Sequence, residues 1–124
     1  MELNERTIGD TGQAVMVEVS GPVGRDSGAA GVLLTRLKGL IAHGYKTILL
    51  NVAQVTYMDS VMLGAIVQGY VSSARQGSSL KLVDPPARVR ELFTVTKLNT
   101  VFEMLEAEAA LQPFRGPSDS GEKP

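Results

Sequence analysis

Val15, Val17 and Val19 fall on one side of an extended chain and Met16 and Glu18 on the other, the period of a strand with one better-buried face. Just upstream, Gly9-Asp10-Thr11-Gly12 is a turn-forming stretch, which predicts a hairpin with a first strand near Arg6–Ile8. Beyond a loop over Gly21–Gly28 the period changes. Ala30, Leu33, Leu34, Leu37, Leu40 and Ile41 recur at helical spacing, an apolar stripe on one face that Gly44 brings to an end. Lys46–Val52 then runs apolar without alternation, as a central strand covered on both faces does.

From Val61 to Arg75, Leu63, Ile66, Val67, Tyr70 and Ala74 keep helical spacing, and Gln76-Gly77-Ser78-Ser79 closes the element. Gly64 and Gly69 lie inside this pattern, where close packing is the ordinary explanation. Leu80–Val83 reads as a strand. Asp84 offers an N-cap with Pro85 at the first helical position, and Val89, Leu92, Phe93 and Thr96 mark a helix face up to about Leu98. Val101–Met104 is a last short strand and Glu106–Leu111 a last, weaker helix. The order is β-β-α-β-α-β-α-β-α. Right-handed crossovers would build from it a single α/β domain over residues 1–111, a mixed, mostly parallel sheet of about five strands with an antiparallel N-terminal strand and about four helices. Residues 112–124, with Pro113, Gly116, Pro117, Gly121 and Pro124 among polar neighbours, are expected to form a disordered tail.

Composition narrows the function classes. With 124 residues, 44% hydrophobic, 20% charged and a net charge of -1, the chain has the size and balance of one ordinary soluble domain. Its basic residues are interspersed with acidic ones, without the Lys/Arg patch that a nucleic-acid binder carries. No cysteine is present, so disulfides, thiol nucleophiles and cysteine zinc sites are excluded. Apolar runs are far shorter than the roughly 20 residues needed to cross a bilayer, which predicts a cytoplasmic protein without membrane insertion. The one histidine, His43, sits on the polar side of the first helix with no visible triad or metal partner. Phosphate-binding loops, dinucleotide fingerprints and zinc-helix motifs do not occur. These exclusions predict neither an enzyme nor a metal or cofactor site.

What remains is Asp59-Ser60, inside VTYMDSVMLG, where an acid and a hydroxyl interrupt an apolar join. The helix pattern starts just after them, so both belong to a helix start, and either is a preferred cap contributing about 1 kcal/mol. A serine there is also accessible to a kinase. The product phosphate would lie where backbone amides and the helix dipole tolerate an anion, and would add about -1.5 to -2 charge to whatever a partner meets.

The span from about Val15 to Phe102 resembles a STAS domain of the bacterial anti-sigma factor antagonist type. The resemblance rests on ILLNVAQVTYMDSVMLG, a strand and short loop leading to hydrophobic-hydrophobic-Asp-Ser and then Leu-Gly in the helix; on LKLVDPPARVRELF; and on TKLNTVFEM. It implies a partner switch. The unphosphorylated antagonist binds an anti-sigma factor that is also a serine protein kinase, which frees a sigma factor; the kinase phosphorylates the antagonist's serine, and a serine phosphatase restores it. Carried over by position, Ser60 is the phosphoacceptor, Asp59 the acid before it, and Leu63 and Gly64 the helix residues that follow. Partner contact is then expected from Tyr57, Met58, Asp59, Ser60, Val61 and Met62. The family usually has Ser or Ala and then Gly directly after the acceptor, where Val61 and Met62 stand here. A methionine side chain in place of glycine is expected to obstruct approach to Ser60, or to lend adaptable contact area to a different partner.

Two other readings stay open at the level of sequence. One is a phospho-aspartate receiver with Asp59 as acceptor, which needs a magnesium-binding acidic pair and a lysine after a late strand, whereas Asp10 is alone and Lys81 lies inside its strand. The other is a STAS scaffold or lipid-transport-complex subunit that is never phosphorylated.

Overall fold

The computed structural model describes residues 1–9, 12–23 and 28–114. Strands β1 (Glu2–Ile8), β2 (Ala14–Val23), β3 (Thr47–Met58), β4 (Ser79–Val83) and β5 (Met104–Leu105) form one sheet in the order β1-β2-β3-β4-β5. β1 is antiparallel to β2, and the remaining neighbours are parallel. Helices α1 (Ala29–His43), α2 (Ser60–Arg75) and α3 (Ala87–Val95) connect the parallel strands, and α4 (Ala107–Leu111) follows β5. Because each parallel strand is laid beside the one before it, crossovers of one hand put α1, α2 and α3 on the same face.

Side-chain alternation divides the sheet accordingly. Val15, Val17, Val19, Ile48, Leu50, Val52, Leu80 and Leu82 face the three helices in the main core. Ala14, Met16, Leu49 and Val83 face the other way, under Ala110, Leu105, Leu111 and Phe114. Ile48, Leu49 and Leu50 are all 0% exposed, so β3 is covered on both faces as its unbroken apolar run predicts.

α1 buries Ala29, Leu33, Leu37, Leu40 and Ile41. It ends at Gly44 in the left-handed region, φ 113°, where the Gly44 amide donates to Ile41 O at 3.1 Å and the Tyr45 amide to Leu40 O at 3.4 Å. α1 and α2 pack closely at Gly69, where an added Cβ would stand 2.8 Å from Leu37 Cδ1. At Gly64 a Cβ would meet nothing within 4 Å, so close packing, expected of both glycines, holds only for Gly69.

Several elements depart from expectation for identifiable reasons. β3 does not stop at Val52. β2 itself runs on to Val23, so Gln54 to Met58 pair with Ser20 to Val23 across two register shifts, and Val55 stays buried. β1 likewise starts at Glu2, because β2 offers partners up to Ser20. α3 begins at Ala87 rather than Pro85. Pro86 keeps the residue before it out of the helical region, and Pro86 itself is extended at φ -65°, ψ 165°. Asp84 is therefore no cap of α3: at φ 52° it turns its carboxylate to accept from the Ala107 amide at 3.0 Å, at the start of α4. The last strand shifts to Met104–Leu105, because Phe102 enters the core, 5.2 Å edge-to-face with Phe93 and 4.8 Å from Tyr70. Gln112–Phe114, expected in the tail, form a 3-10 turn whose Phe114 covers the second core; the rest of that tail, and Asp10-Thr11 of the predicted turn, lie outside the described residues.

Candidate functional site

The sequence after β3 fixes a helix start by local chemistry. Asp59 is extended at φ -110°, ψ -179°, and its Oδ1 accepts from the Val61 amide at 3.1 Å and the Met62 amide at 3.0 Å. Its carbonyl takes the first helical bond, from the Leu63 amide at 3.0 Å. Asp59 is thus the cap and Ser60 the first residue of α2, so the pair expected at a helix start divides into one capping carboxylate and one hydroxyl on an exposed residue.

Around Ser60 the expected contact residues separate into two groups. Tyr57 is 55% exposed at the end of β3 and Val61 is 42% exposed on the first turn of α2, two large hydrophobic residues left in water before and after the serine in sequence. Met58 is half-buried against the main core. Met62 is 1% exposed and belongs to that core. It follows that Met62 neither obstructs Ser60 nor offers contact area: two positions after Ser60 the helix has turned its side chain inward, onto the stripe that also carries Leu63 and Ile66. One turn beyond Ser60, Gly64 leaves the same flank of α2 bare.

Beside this face lies an apolar groove of about 320 Å³ between the end of β3 and α3, floored by Val55, Met58 and Leu92 and edged by Arg88, Glu91 and Val95. Val95 is 68% exposed. The α3 contribution escaped the sequence reading, which placed Leu92 on the core stripe and left Val95 unassigned. Leu92 is half-buried against the main core, as its place on the predicted face implies, and lines the groove as well; Val95, three residues on, lies off that face and is exposed.

The groups another chemistry would need do not come together. His43 is exposed at the last turn of α1, its ring 5.1 Å from that of Tyr45. The length of β3, roughly 35 Å at the usual rise per residue, separates that end of the sheet from Ser60. Lys81 pairs with Glu103 at 3.3 Å in the middle of β4, and the Asp59 carboxylate is committed to capping, so the receiver arrangement is not assembled. Asp10 lies outside the described residues. Among the described residues no group of three or more acids or histidines converges on a point, and no helix is long and apolar enough to cross a membrane.

Comparison with known proteins gives the same frame. A family model described as "Mlab, STAS domain" matches residues 7–106. The anti-sigma factor antagonist SpoIIAA in its unphosphorylated form superposes with a TM-score of 0.75 at 19% identity, over 90% of this chain and 95% of that one. The Bacillus cell fate determinant SpoIIAA in its phosphorylated form gives 0.72 at 20% identity, over 92% of this chain and 100% of that one. An anti-sigma factor antagonist from Mycobacterium paratuberculosis gives 0.74 at 18%, over 93% and 96%. A sulfate transporter family protein from Wolinella succinogenes gives 0.65 at 18%, over 79% and 81%. No curated protein sequence matches at a significant level. At these identities the likeness to solved structures is one of fold.

Proposed function

The chain belongs to the STAS domain family, and from that premise we propose that it is an anti-sigma factor antagonist, a cytoplasmic binding module rather than an enzyme. Its unphosphorylated form docks an anti-sigma factor that is also a serine kinase, so that a sigma factor is released. The kinase moves the γ-phosphoryl group of ATP to Ser60 Oγ, leaving ADP and the hydroxyl proton, and the charged product lets go of its partner. A serine phosphatase resets the switch by hydrolysis.

The observation that carries this reading is an exposed serine opening α2, flanked in sequence by two exposed, largely apolar side chains, Tyr57 and Val61. Apolar surface of that kind attracts a partner by burial, at about 25 cal/mol per Å² removed from water. A group carrying about -1.5 to -2 charge placed beside it must be desolvated before the partner can close, which opposes the same contact. Incubation with the cognate kinase and ATP, followed by mass spectrometry of peptides, is expected to find one phosphate, on Ser60. Phosphate on another residue would end the assignment.

A second reading has its own support in the description of the matching family model and in the sulfate transporter relative. In it the same face docks a subunit of a membrane transport complex, such as a lipid transporter, and Ser60 is never modified. The two readings differ in what co-purifies: a kinase with an ATPase fold for the first, transporter subunits for the second.

A further inference from the structure

We propose that Asp59 is a positioning residue that keeps the N-terminus of α2 closed to a phosphate on Ser60, so that the phosphate stands on the docking face instead of being absorbed by the helix. The inference rests on Ser60 as the phosphoacceptor and concerns what the modified side chain does next.

The first turn of a helix presents amides without intrahelical partners and a positive dipole end, and a phosphate attached to its first residue is within reach of both. Were those amides vacant, the phosphoserine would fold back, accept their hydrogen bonds and surrender part of its charge to the helix. Such a modification would be quiet at the surface. Here two of those amides are engaged: Val61 N and Met62 N both donate to Asp59 Oδ1, at 3.1 and 3.0 Å, and from Leu63 N, which donates to Asp59 O at 3.0 Å, the helix bonds itself. A carboxylate already neutralises the dipole end, so a second anion entering would have to displace it or share a few ångströms with a like charge.

Among the described residues of the segment 57–64, which carries Ser60, no side chain is positively charged. Val61 is apolar and exposed, Tyr57 is exposed and carries a neutral phenol, Met62 points into the core, and Gly64 carries no side chain. Arg88, on α3, lines the same groove as Met58 and Tyr57. The phosphoserine therefore stands beside the Asp59 carboxylate, and the two anions share one end of the docking face. Asp59 thus has a role beyond capping: it makes the modification legible to a partner.

The test places phosphoserine at position 60 of the full chain by genetic encoding, which does not depend on whether any kinase modifies Ser60, so this inference and the switch fail separately. Three backgrounds are compared: Asp59, Asp59→Asn, which keeps a capping oxygen without the charge, and Asp59→Gly, which removes the side chain with glycine still a tolerated cap. Phosphorus NMR follows phosphate ionisation against pH, and proton-nitrogen spectra follow the Val61 and Met62 amides in the same samples. With Asp59 present, the phosphate is expected to titrate at or above its usual value near ~6 while the two amides stay still. In Asp59→Gly the apparent pKa is expected to fall by about one unit, and both amides to move downfield as the phosphate ionises; Asp59→Asn should fall between. Amides that follow the phosphate with Asp59 in place, or one common pKa in all three backgrounds, would overturn the proposal.

Discussion

Replacing Met62 by alanine separates the two accounts of that residue sharply. If it were a surface obstruction beside Ser60, the change would fall within the roughly ±0.5 kcal/mol typical of exposed positions. The structure puts it at 1% exposure in the main core. Alanine removes three heavy atoms beyond Cβ, and at about 0.8 kcal/mol per buried methylene-sized group the transfer loss is about 2.4 kcal/mol. Met62 lies on the buried stripe of α2 with Ile66, which is 0% exposed, and packing there leaves little freedom to collapse, so a cavity contribution adds to the loss. A total of about 3–4 kcal/mol follows, inside the range for such substitutions. With a urea m-value of ~2 kcal/mol/M, the unfolding midpoint drops by about 1.5–2 M. Urea titration by circular dichroism measures this directly, and phosphorylation of the still-folded variant is expected to proceed at the parent rate. A midpoint shift below about 0.3 M, corresponding to surface behaviour, or a large change in phosphorylation rate, would refute the placement.

Other outcomes follow from the same geometry. Val95→Lys puts a charge into the groove beside α3 at a 68% exposed position; partner capture from native extract should weaken strongly while stability changes by no more than about 0.5 kcal/mol. Gly64→Ala and Gly69→Ala should move thermal stability in opposite directions. The first gains about 0.5–1 kcal/mol of helix propensity in open space, whereas the second drives a Cβ to 2.8 Å from buried Leu37 and loses about 1–3 kcal/mol to overpacking before any helix gain. Gly44→Ala forces a side chain into the left-handed C-cap at φ 113° and should lower stability by about 1–2 kcal/mol by chemical denaturation. Glu5→Ala breaks the exposed ion pair with Arg36 that joins β1 to α1, and should shift the urea midpoint only slightly, since such pairs contribute about 1 kcal/mol or less.

The architecture was legible because its core elements are marked by aliphatic residues at a clear period. The valines of β2, the Ile48-Leu49-Leu50 run of β3 and the leucine stripe of α1 announce their periods, and a monotonic strand order follows once crossovers share a hand. Boundaries set by pairing were hidden. β3 extends to Met58 only because β2 continues alongside it through Gly21 and Pro22, residues that read alone as a turn. Asp84 is similar: its preference for a cap was correctly sensed, but the helix it serves is α4, 23 residues away along the chain. At the site, Asp59 and Ser60 were readable as a helix start because capping is local chemistry. Met62 was misplaced because comparison with a family glycine says what the position lacks, whereas the helix phase relative to Leu63 and Ile66 says where the side chain goes. The α3 flank of the groove went unseen since Leu92 reads as a core residue, which it also is, and Val95 lies off the predicted face.

The central claim is that binding to a kinase partner and phosphate on Ser60 exclude one another. Its most direct measurement is a native pull-down of the full chain, with the phosphorylation state of Ser60 read by mass spectrometry in the bound and unbound fractions of one sample. The account predicts an ATPase-fold serine kinase in the bound fraction with Ser60 unmodified there, and phosphoserine at Ser60 confined to the unbound fraction. Transporter subunits in the bound fraction, with Ser60 unmodified throughout, would contradict it.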